Sequence, residues 1–383
     1  MVQRKWWQEK LENAWKERSI VWLSGVRRAG KTLLCQSLLD TDYFDCELPR
    51  TRRLLDDPED FLGQHRGRRV ILDEIHRLSN PSQLLKIAAD QYRDTKVIAT
   101  GSSTLGASRK FRDTLAGRKA EVWLTPMTGE DLSAFEKPDL RHRMLHGGLP
   151  PFFLAPSIPE PAFQEWMDAY WAKDIQTLFR LERRHSFEQF AELLFAQSGG
   201  LFEATRFTRA CEVSRQTIMN YLAVLENTYL VHVIRPFSTH RTAEIVAAPK
   251  IYAFDTGFAC YYRGWTSLRQ EDLGLLWEHL VLNELQAHLQ TRRIGYWRDK
   301  RGHEIDFVLA RRGQAPLALE CKWSADDVDL TNLKAFALRY PTADLRVIAH
   351  DVDRSYQRRT DAFTVTYSGL TALLSSLREA VTE

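Results

Sequence analysis

Cysteine is scarce in this sequence: five residues, at positions 35, 46, 211, 260 and 321, occur among 383. None of them forms a CxxC pair or has companion histidines at metal-site spacing, so neither a disulfide framework nor a zinc site is indicated. We expect five reduced thiols in the core. No apolar run approaches the roughly 20 residues that a helix needs to cross a bilayer. Because the charged amino terminus also lacks the apolar core of a signal peptide, the sequence predicts a cytoplasmic protein with no membrane segment.

The sequence also lacks a strong excess of charge of either sign, with a net charge of +3. This value is too small to indicate a nucleic-acid partner by itself, although arginine clusters could form local basic faces. With 44% hydrophobic and 27% charged residues, the composition is typical of a soluble globular protein. The length predicts roughly two or three domains.

Four regions can be distinguished along the chain. Residues 1–127 alternate short apolar runs with helical patterns, which predicts an α/β fold with helices on both faces of a parallel sheet. We expect residues 128–200 to form a helical lid or connector, which the GGLPP segment at 147–151 interrupts as a hinge or turn. Residues 201–245 resemble a winged helix-turn-helix. Residues 246–383 return to mixed strands and helices, which indicates a second α/β domain.

The strongest motif is GVRRAGKT, which follows an apolar strand, opens a helix and matches GxxxxGK[ST]. Such a loop folds its N–H groups toward phosphate, while Lys31 reaches the β and γ phosphates and Thr32 binds Mg²⁺. The alternative is a glycine-containing turn that binds nothing. The residues predicted to contact ATP are Gly25, Arg27, Arg28, Ala29, Gly30, Lys31, Thr32 and Leu33.

The next buried strand ends in the acidic pair Asp73 and Glu74. Ligands of open α/β sheets bind at the carboxyl ends of the strands, so these carboxylates stand where phosphate chemistry is expected. We predict that Asp73 holds Mg²⁺ and that Glu74 polarises the attacking water. The alternative is a pair of exposed acids at a strand end.

Two further candidates follow along the chain. The strand that ends at Thr100 is followed by Ser102, whose hydroxyl we expect to orient the lytic water, with Thr100 as the second choice. Arg118 precedes another strand and is a candidate arginine finger toward the γ phosphate of a neighbouring subunit, which would require a homo-oligomer. The alternative is an ordinary surface arginine.

These motifs together resemble the AAA-type ATPases of the additional-strand class, and nearly the whole chain resembles the bacterial and archaeal family whose ATPase module precedes a C-terminal domain of unknown function. The resemblance implies a sheet of order 5-1-4-3-2, ATP hydrolysis and a restriction-endonuclease-like C-terminal core. The motifs that carry it are GVRRAGKT, ILDEIHRL, ATGSS, LAGRKAEVWLTPM, HGGLP, KIYAFDTG, LLWEHLVLNEL, GHEIDFVL and ECKWS.

The C-terminal region contains a second candidate site. Asp306 ends a strand-like segment, and the following strand presents Glu320 and Lys322 two residues apart, hence on one face. This is the D…ExK arrangement of the PD-(D/E)XK nuclease fold, in which carboxylates hold a second Mg²⁺ and lysine activates water. A helical glutamate could complete the site, with Glu278 preferred over Glu284. The alternatives are a non-cleaving scaffold or a salt-bridged strand edge.

The helix-turn-helix segment has Ser214 as a plausible N-cap of its second helix. Arg215, Gln216 and Asn220 on that helix are of residue types that contact DNA bases or phosphates. The alternative is that the motif is a packing module or a lid.

Two functional hypotheses follow from these features. The first is an ATPase that acts on DNA, with a nuclease-like tail that binds or cuts it. The second is a regulatory switch in which the ATP state controls assembly with a protein partner and the tail is an interaction module. A small-molecule kinase is poorly supported, because Glu74 beside Asp73 suits water activation.

Overall fold

The computed structural model describes residues 2–101, 109–158, 160–176, 183–238, 248–310, 314–360 and 362–382. The chain divides into two compact units, each built from several chain segments. The first unit contains Met1–Leu140, Gly148–Arg184 and Ala223–Leu230, and the second contains Arg141–Gly147, His185–Leu222 and Val231–Glu383.

The first unit is built on a five-stranded sheet in which every pair of neighbouring strands is parallel. The strands lie in the order β2-β3-β4-β1-β5, which confirms the predicted order 5-1-4-3-2. All residues of β1, an interior strand, are buried, as expected for a parallel sheet covered on both faces. The five strands are β1 Ile20–Ser24, β2 Asp42–Asp45, β3 Arg69–Asp73, β4 Lys96–Thr100 and β5 Lys119–Trp123.

The helices begin at positions that the local sequence explains. Four of them start with proline at the first turn, where the missing N–H has no helical partner anyway. The α-helices of the described residues are α1 Lys5–Glu17, α2 Lys31–Gln36, α3 Pro49–Leu54, α4 Pro58–Gln64, α5 Pro81–Gln91, α6 Arg109–Thr114, α7 Gly129–Ala134, α8 Leu140–His146, α9 Pro150–Phe153, α10 Glu160–Tyr170, α11 Arg184–Ala196, α12 Ala204–Thr208, α13 Arg215–Asn227, α14 Thr256–Tyr262, α15 Gln270–Leu289, α16 Thr331–Arg339 and α17 Leu370–Thr382. Short 3-10 turns span Ile75–Arg77 and Ala325–Asp327, and a π-helical turn spans Trp171–Ile175.

The second unit is built on a mixed nine-stranded sheet of order β13-β14-β12-β11-β10-β9-β7-β8-β6. Strand β11 pairs antiparallel with β10 and parallel with β12, so the sheet changes direction at β11. The α/β fold class is thereby confirmed. The strands are β6 Gly200–Leu201, β7 Val231–Pro236, β8 Lys250–Ala253, β9 Gly295–Arg298, β10 Glu304–Leu309, β11 Leu317–Lys322, β12 Asp344–Ala349, β13 Tyr356–Arg359 and β14 Thr364–Ser368.

The region predicted to be a winged helix-turn-helix contains helices α12 and α13. The hydroxyl of Ser214 accepts a hydrogen bond from the N–H of Thr217 at 3.1 Å, as expected for the N-cap of α13. Strand β7, which would belong to the wing, pairs with β8 and β9 within the nine-stranded sheet. A winged helix therefore stays a prediction for this region.

The predicted break at 147–151 separates α8, which ends at His146, from α9, which begins at Pro150. Gly147 has a φ of 85°, and a Cβ atom there would lie 2.0 Å from the Asp255 carboxylate. No other residue type fits this position without displacing Asp255.

The five cysteines are free and buried, as predicted from their spacing. None of the described helices has the length and apolarity that a membrane crossing requires.

Candidate functional site

The loop between β1 and α2 has a backbone that glycine makes possible. Gly25, Arg28 and Gly30 have φ values of 143°, 60° and 96°. A Cβ atom on Gly25 would lie 2.4 Å from the carbonyl oxygen of Leu124, so a side chain there would force the loop and that segment apart. Among the predicted contact residues of this loop, Ala29 is buried, whereas Arg28, Thr32 and Leu33 are exposed.

Lys31 lies inside this loop. Its Nζ atom donates to the carbonyl oxygens of Gly25 at 2.8 Å and Val26 at 3.0 Å. Burial lowers the pKa of Lys31, and the negative charges of Glu74 and other nearby carboxylates oppose this shift in part. The amine is thus surrounded by acceptors at the start of a helix.

Asp73 is buried at the end of β3, with two side-chain donors on its carboxylate. The hydroxyl of Tyr43 donates to Oδ2 at 2.6 Å, and the hydroxyl of Thr100 donates to Oδ1. The same Thr100 oxygen accepts a hydrogen bond from the backbone N–H of Glu74 at 3.1 Å. The structure therefore places Thr100 at the acidic pair. Ser102, the first choice from the sequence, lies outside the described residues.

Glu74 has a left-handed backbone, with a φ of 55°. Its Oε2 atom lies 3.1 Å from Nδ1 of His76. Burial by itself raises the pKa of Glu74, but the hydrogen bond from His76 and the positive charge of Lys31 outweigh it, so the pKa is lowered. The carboxylate is thus held in its ionised form.

Residues from outside the two motifs also hold the loop. Arg4 donates to the carbonyl oxygen of Ala29 at 2.9 Å, and its guanidinium group forms a two-bond ion pair with buried Asp131 at 2.7 and 2.6 Å. The indole of Trp166 donates to the carbonyl oxygen of Arg27 at 3.2 Å. Sequence reasoning missed these contacts, which join residues far apart in the chain.

Asp174 is a further residue that sequence reasoning missed. It lies on the π-helical turn after α10, and its side chain is 2% exposed, with Oδ2 3.7 Å from Nε of Arg27. Burial raises the pKa of Asp174, and the positive charges of Arg27 and Lys31 oppose the shift. Neither carboxylate oxygen has a hydrogen-bond partner among the described residues.

Arg118 lies at the opposite edge of the sheet from the loop. It precedes β5, whose first residue Lys119 pairs with Ile20, the first residue of β1, whereas the loop follows the last residue of β1. Its guanidinium group contacts Asp90 through two hydrogen bonds of 2.8 and 3.2 Å. The structure does not bring Arg118 to the loop of its own chain.

In the second unit, the structure brings the four predicted residues of the nuclease-like site together. Lys322 on β11 contacts Glu320 at 3.0 Å, so the two share a face as predicted. Asp306 on β10 accepts from the N–H of Cys321 at 2.8 Å. Burial, with the charges of Glu278 and Glu320, raises the pKa of Asp306.

An ammonium group lies among these carboxylates. Nζ of Lys250 is 3.2 Å from Glu278, 2.5 Å from Glu304 and 3.9 Å from Asp306. Burial by itself lowers the pKa of Lys250, but the three carboxylates outweigh it and raise the pKa, so the group stays charged. Sequence reasoning missed Lys250. The alternative helical glutamate, Glu284, instead faces His288 at 3.5 Å.

The predicted DNA-contacting residues of α13 are all exposed. Gln216 donates to Asn220 at 3.1 Å, one helical turn away, and Arg215 is the first residue of the helix. The side chains on the opposite face of the helix, among them Ile218, Tyr221 and Leu225, are buried.

Three family models match successive parts of the chain. Residues 17–132 match a model described as an AAA domain, residues 137–269 match a domain of unknown function, DUF8612, and residues 273–369 match another, DUF4143.

Known relatives match most of the chain. An uncharacterized protein of Mycobacterium tuberculosis is 27% identical over 334 residues, which are 84% of this chain and 74% of that protein. An uncharacterized protein of Methanocaldococcus jannaschii is 21% identical over 74% of this chain and 70% of its own length. Among solved structures, a Walker-type ATPase of Pyrococcus abyssi aligns with a TM-score of 0.44 at 16% identity, over 69% of this chain and 96% of that one. The match to the AAA model, together with the five-stranded parallel sheet, identifies an AAA-type P-loop ATPase domain in residues 17–132.

Proposed function

We propose that the first unit hydrolyses Mg²⁺-bound ATP at the loop between β1 and α2. One observation carries this proposal: the hydroxyl of Thr100 bonds both Asp73 and Glu74 at the end of β3, and the charges of that pair act on Lys31. Phosphoryl transfer to water requires a loop that binds the phosphates, a carboxylate that holds the metal and a carboxylate that orients the water.

Each residue has a definite part in this proposal. Lys31 and the N–H groups of residues 25–33 bind the phosphates. Thr32 and Asp73 would hold Mg²⁺, which supplies positive charge against the phosphate oxygens. Asp73 suits this part because Tyr43 and Thr100 fix its oxygen atoms. Glu74 orients the attacking water, and Arg118 acts only in trans, from a neighbouring subunit of a homo-oligomer.

The test is steady-state ATP hydrolysis with and without Mg²⁺, in wild type and in Glu74→Gln. A positioned general base contributes about 10²- to 10⁴-fold, so we expect a loss of this size with nucleotide binding retained. Glu59→Gln, which removes the same charge from the exposed surface of α4, is the matched control. This variant should hydrolyse ATP at the wild-type rate. Hydrolysis that survives in Glu74→Gln would rule out this role.

We further propose that the ATP state is coupled to DNA binding. Helix α13 supports this, because Gln216 and Asn220 contact each other on its exposed surface and Arg215 is exposed at its first position. The test measures ATP hydrolysis with branched, single-stranded and duplex DNA over a series of salt concentrations. Arg215→Ala should reduce the stimulation, whereas Arg206→Ala on α12 should not, because Arg206 is paired with Glu203. If no DNA changes the rate even at low salt, a switch with a protein partner replaces this proposal.

For the second unit we propose a nuclease-like domain that binds DNA but does not cleave it. Lys250 supports this, because a protein ammonium group already provides part of the positive charge that a catalytic cation would supply to Glu278 and Asp306. We expect plasmid DNA to stay intact with Mg²⁺ or Mn²⁺. Cleavage that is lost in Lys322→Ala would instead establish a nuclease.

A further inference from the structure

Asp174 is a buried carboxylate without hydrogen bonds in the ATPase unit. Its residue is 1% exposed, and neither oxygen atom has a hydrogen-bond partner among the described residues. A buried charge without hydrogen bonds destabilises a fold. The fold therefore gains nothing from this charge through hydrogen bonding.

The neighbouring contacts hold Asp174 beside the phosphate-binding loop. Trp166, on the preceding helix, donates to the carbonyl oxygen of Arg27 at 3.2 Å. Tyr170, just before the π-helical turn, shares a hydrogen bond of 2.6 Å with Thr228. Within the turn, Trp171 and Ile175 are buried together with Asp174. The carboxylate is thus fixed in place by its own segment, and π-helical turns of this kind are frequent at functional sites.

The charges that face Asp174 are those of the loop. Arg27 lies 3.7 Å away, and the positive charges of Arg27 and Lys31 both act on the carboxylate. Glu74 and His76 also act on it. The two cations that face Asp174 are the ones that a bound polyphosphate would need.

We propose that Asp174 competes with nucleotide phosphates for Arg27 and Lys31, and thereby weakens nucleotide binding and speeds nucleotide release. This inference rests on ATP binding at the loop. Phosphate oxygens that approach the two cations meet the repulsion of a fixed negative charge, and when the nucleotide leaves, the carboxylate again balances the cations. Asp174 is accordingly not a catalytic residue: it acts on nucleotide affinity through its charge beside Arg27 and Lys31.

The test compares Asp174→Asn and Asp174→Ala with wild type, using ADP and a slowly hydrolysed ATP analogue. A unit charge several ångströms away at an intermediate effective dielectric changes affinity by about tenfold to hundredfold. We expect both variants to bind both nucleotides more tightly by about this factor, with slower ADP release and a lower KM. A purely structural role would weaken binding instead. Asp168→Asn removes the same charge from α10, where the carboxylate is half exposed and paired with Arg184, and should behave as wild type.

Each result decides the proposal. Tighter binding in both variants supports it. Tightening in Asp174→Asn alone would point to a new hydrogen bond from the amide and would overturn it, as would unchanged or weaker binding. The carboxylate has no hydrogen bonds to lose, and its ion-pair partner Arg27 is partly exposed at 29%, so both variants should fold and unfold near the wild-type temperature without nucleotide. A variant that fails to fold would contradict the premise. If wild type itself binds no nucleotide, the ATPase proposal fails as well. If wild type binds nucleotide but the variants do not bind it more tightly, only the proposal for Asp174 fails.

Discussion

The hydroxyl of Thr100 donates to the carboxylate of Asp73. The same oxygen accepts from the N–H of Glu74 at 3.1 Å, so one side chain at the end of β4 holds both residues at the end of β3. Glu74 has a left-handed backbone, which is unfavourable for a residue with a side chain. The Thr100 hydrogen bond therefore supports a conformation that the local sequence does not favour.

Replacement of Thr100 by valine keeps the shape of the side chain and removes its hydroxyl. We expect about 1–3 kcal/mol lower stability, because a buried carboxylate loses a donor. We also expect roughly tenfold or greater loss of the ATP hydrolysis rate, since Glu74 is no longer held in place. Thr100→Ser retains the hydroxyl and is the matched control. Equal hydrolysis rates in the two variants would show that the hydrogen bonds have no part in turnover.

The phosphate-binding loop was predictable because its signal is local. The spacing of Gly25, Gly30 and Lys31 depends on one turn between a strand and a helix, and the acidic pair follows directly after an apolar strand. Thr100 was only the second choice: the sequence places the end of β4 at this residue, but it does not show which of the neighbouring hydroxyl groups contacts the acidic pair on β3.

The surroundings of the loop could not be predicted, because they depend on contacts between distant parts of the chain. Asp131 and Arg4 are 127 positions apart, and Trp166 and Arg27 are 139 positions apart. Lys250 stands at the start of a strand, where a lysine is usually solvent-exposed. Its burial depends on carboxylates from α15 and β10, which no short motif connects.

The ion pair of Arg4 and Asp131 is buried on both sides, with 6% and 1% of the side chains exposed. We expect Arg4→Met to lower the free energy of unfolding by about 3–5 kcal/mol, because Asp131 keeps its charge in the interior without the guanidinium group. Urea denaturation measures this difference. Arg66→Met is the control, since Arg66 and Asp94 are largely exposed at 69% and 50%, and should cost at most about 1 kcal/mol. Similar losses in both variants would contradict the importance of burial.

The buried His279 predicts an acid-dependent loss of stability. Burial lowers the pKa of His279 to about 4, although a hydrogen bond to the carbonyl oxygen of Ala253 opposes the shift. The histidine is therefore neutral in the folded state at a pH where the unfolded chain binds a proton. The contribution of His279 to the free energy of unfolding is fully present above about pH 6.5. It is lost as the pH falls toward 4, and the loss is roughly 3 kcal/mol at 1.36 kcal/mol per pKa unit.

Unfolding measured at a series of pH values, in wild type and in His279→Gln, tests this assignment. The glutamine amide can still donate to a carbonyl oxygen but does not titrate, so the curve of the variant should be flatter between pH 4 and 6.5. His185→Gln, at an exposed position, should leave the curve as in wild type. A His279→Gln curve as steep as that of wild type would assign the acid sensitivity to other groups.

Lys250→Met removes the ammonium group that lies among Glu278, Glu304 and Asp306. The three carboxylates then repel one another in a largely buried site, so we expect a loss of about 3–5 kcal/mol in stability without divalent cations. Because carboxylate oxygens are the ligands that hard divalent cations prefer, Mn²⁺ or Ca²⁺ should raise the unfolding temperature of the variant and leave that of wild type nearly unchanged. Lys334→Met removes an exposed lysine of α16 and is the matched control. Equal effects of the cations on wild type and on Lys250→Met would show that Lys250 does not occupy the place of a cation.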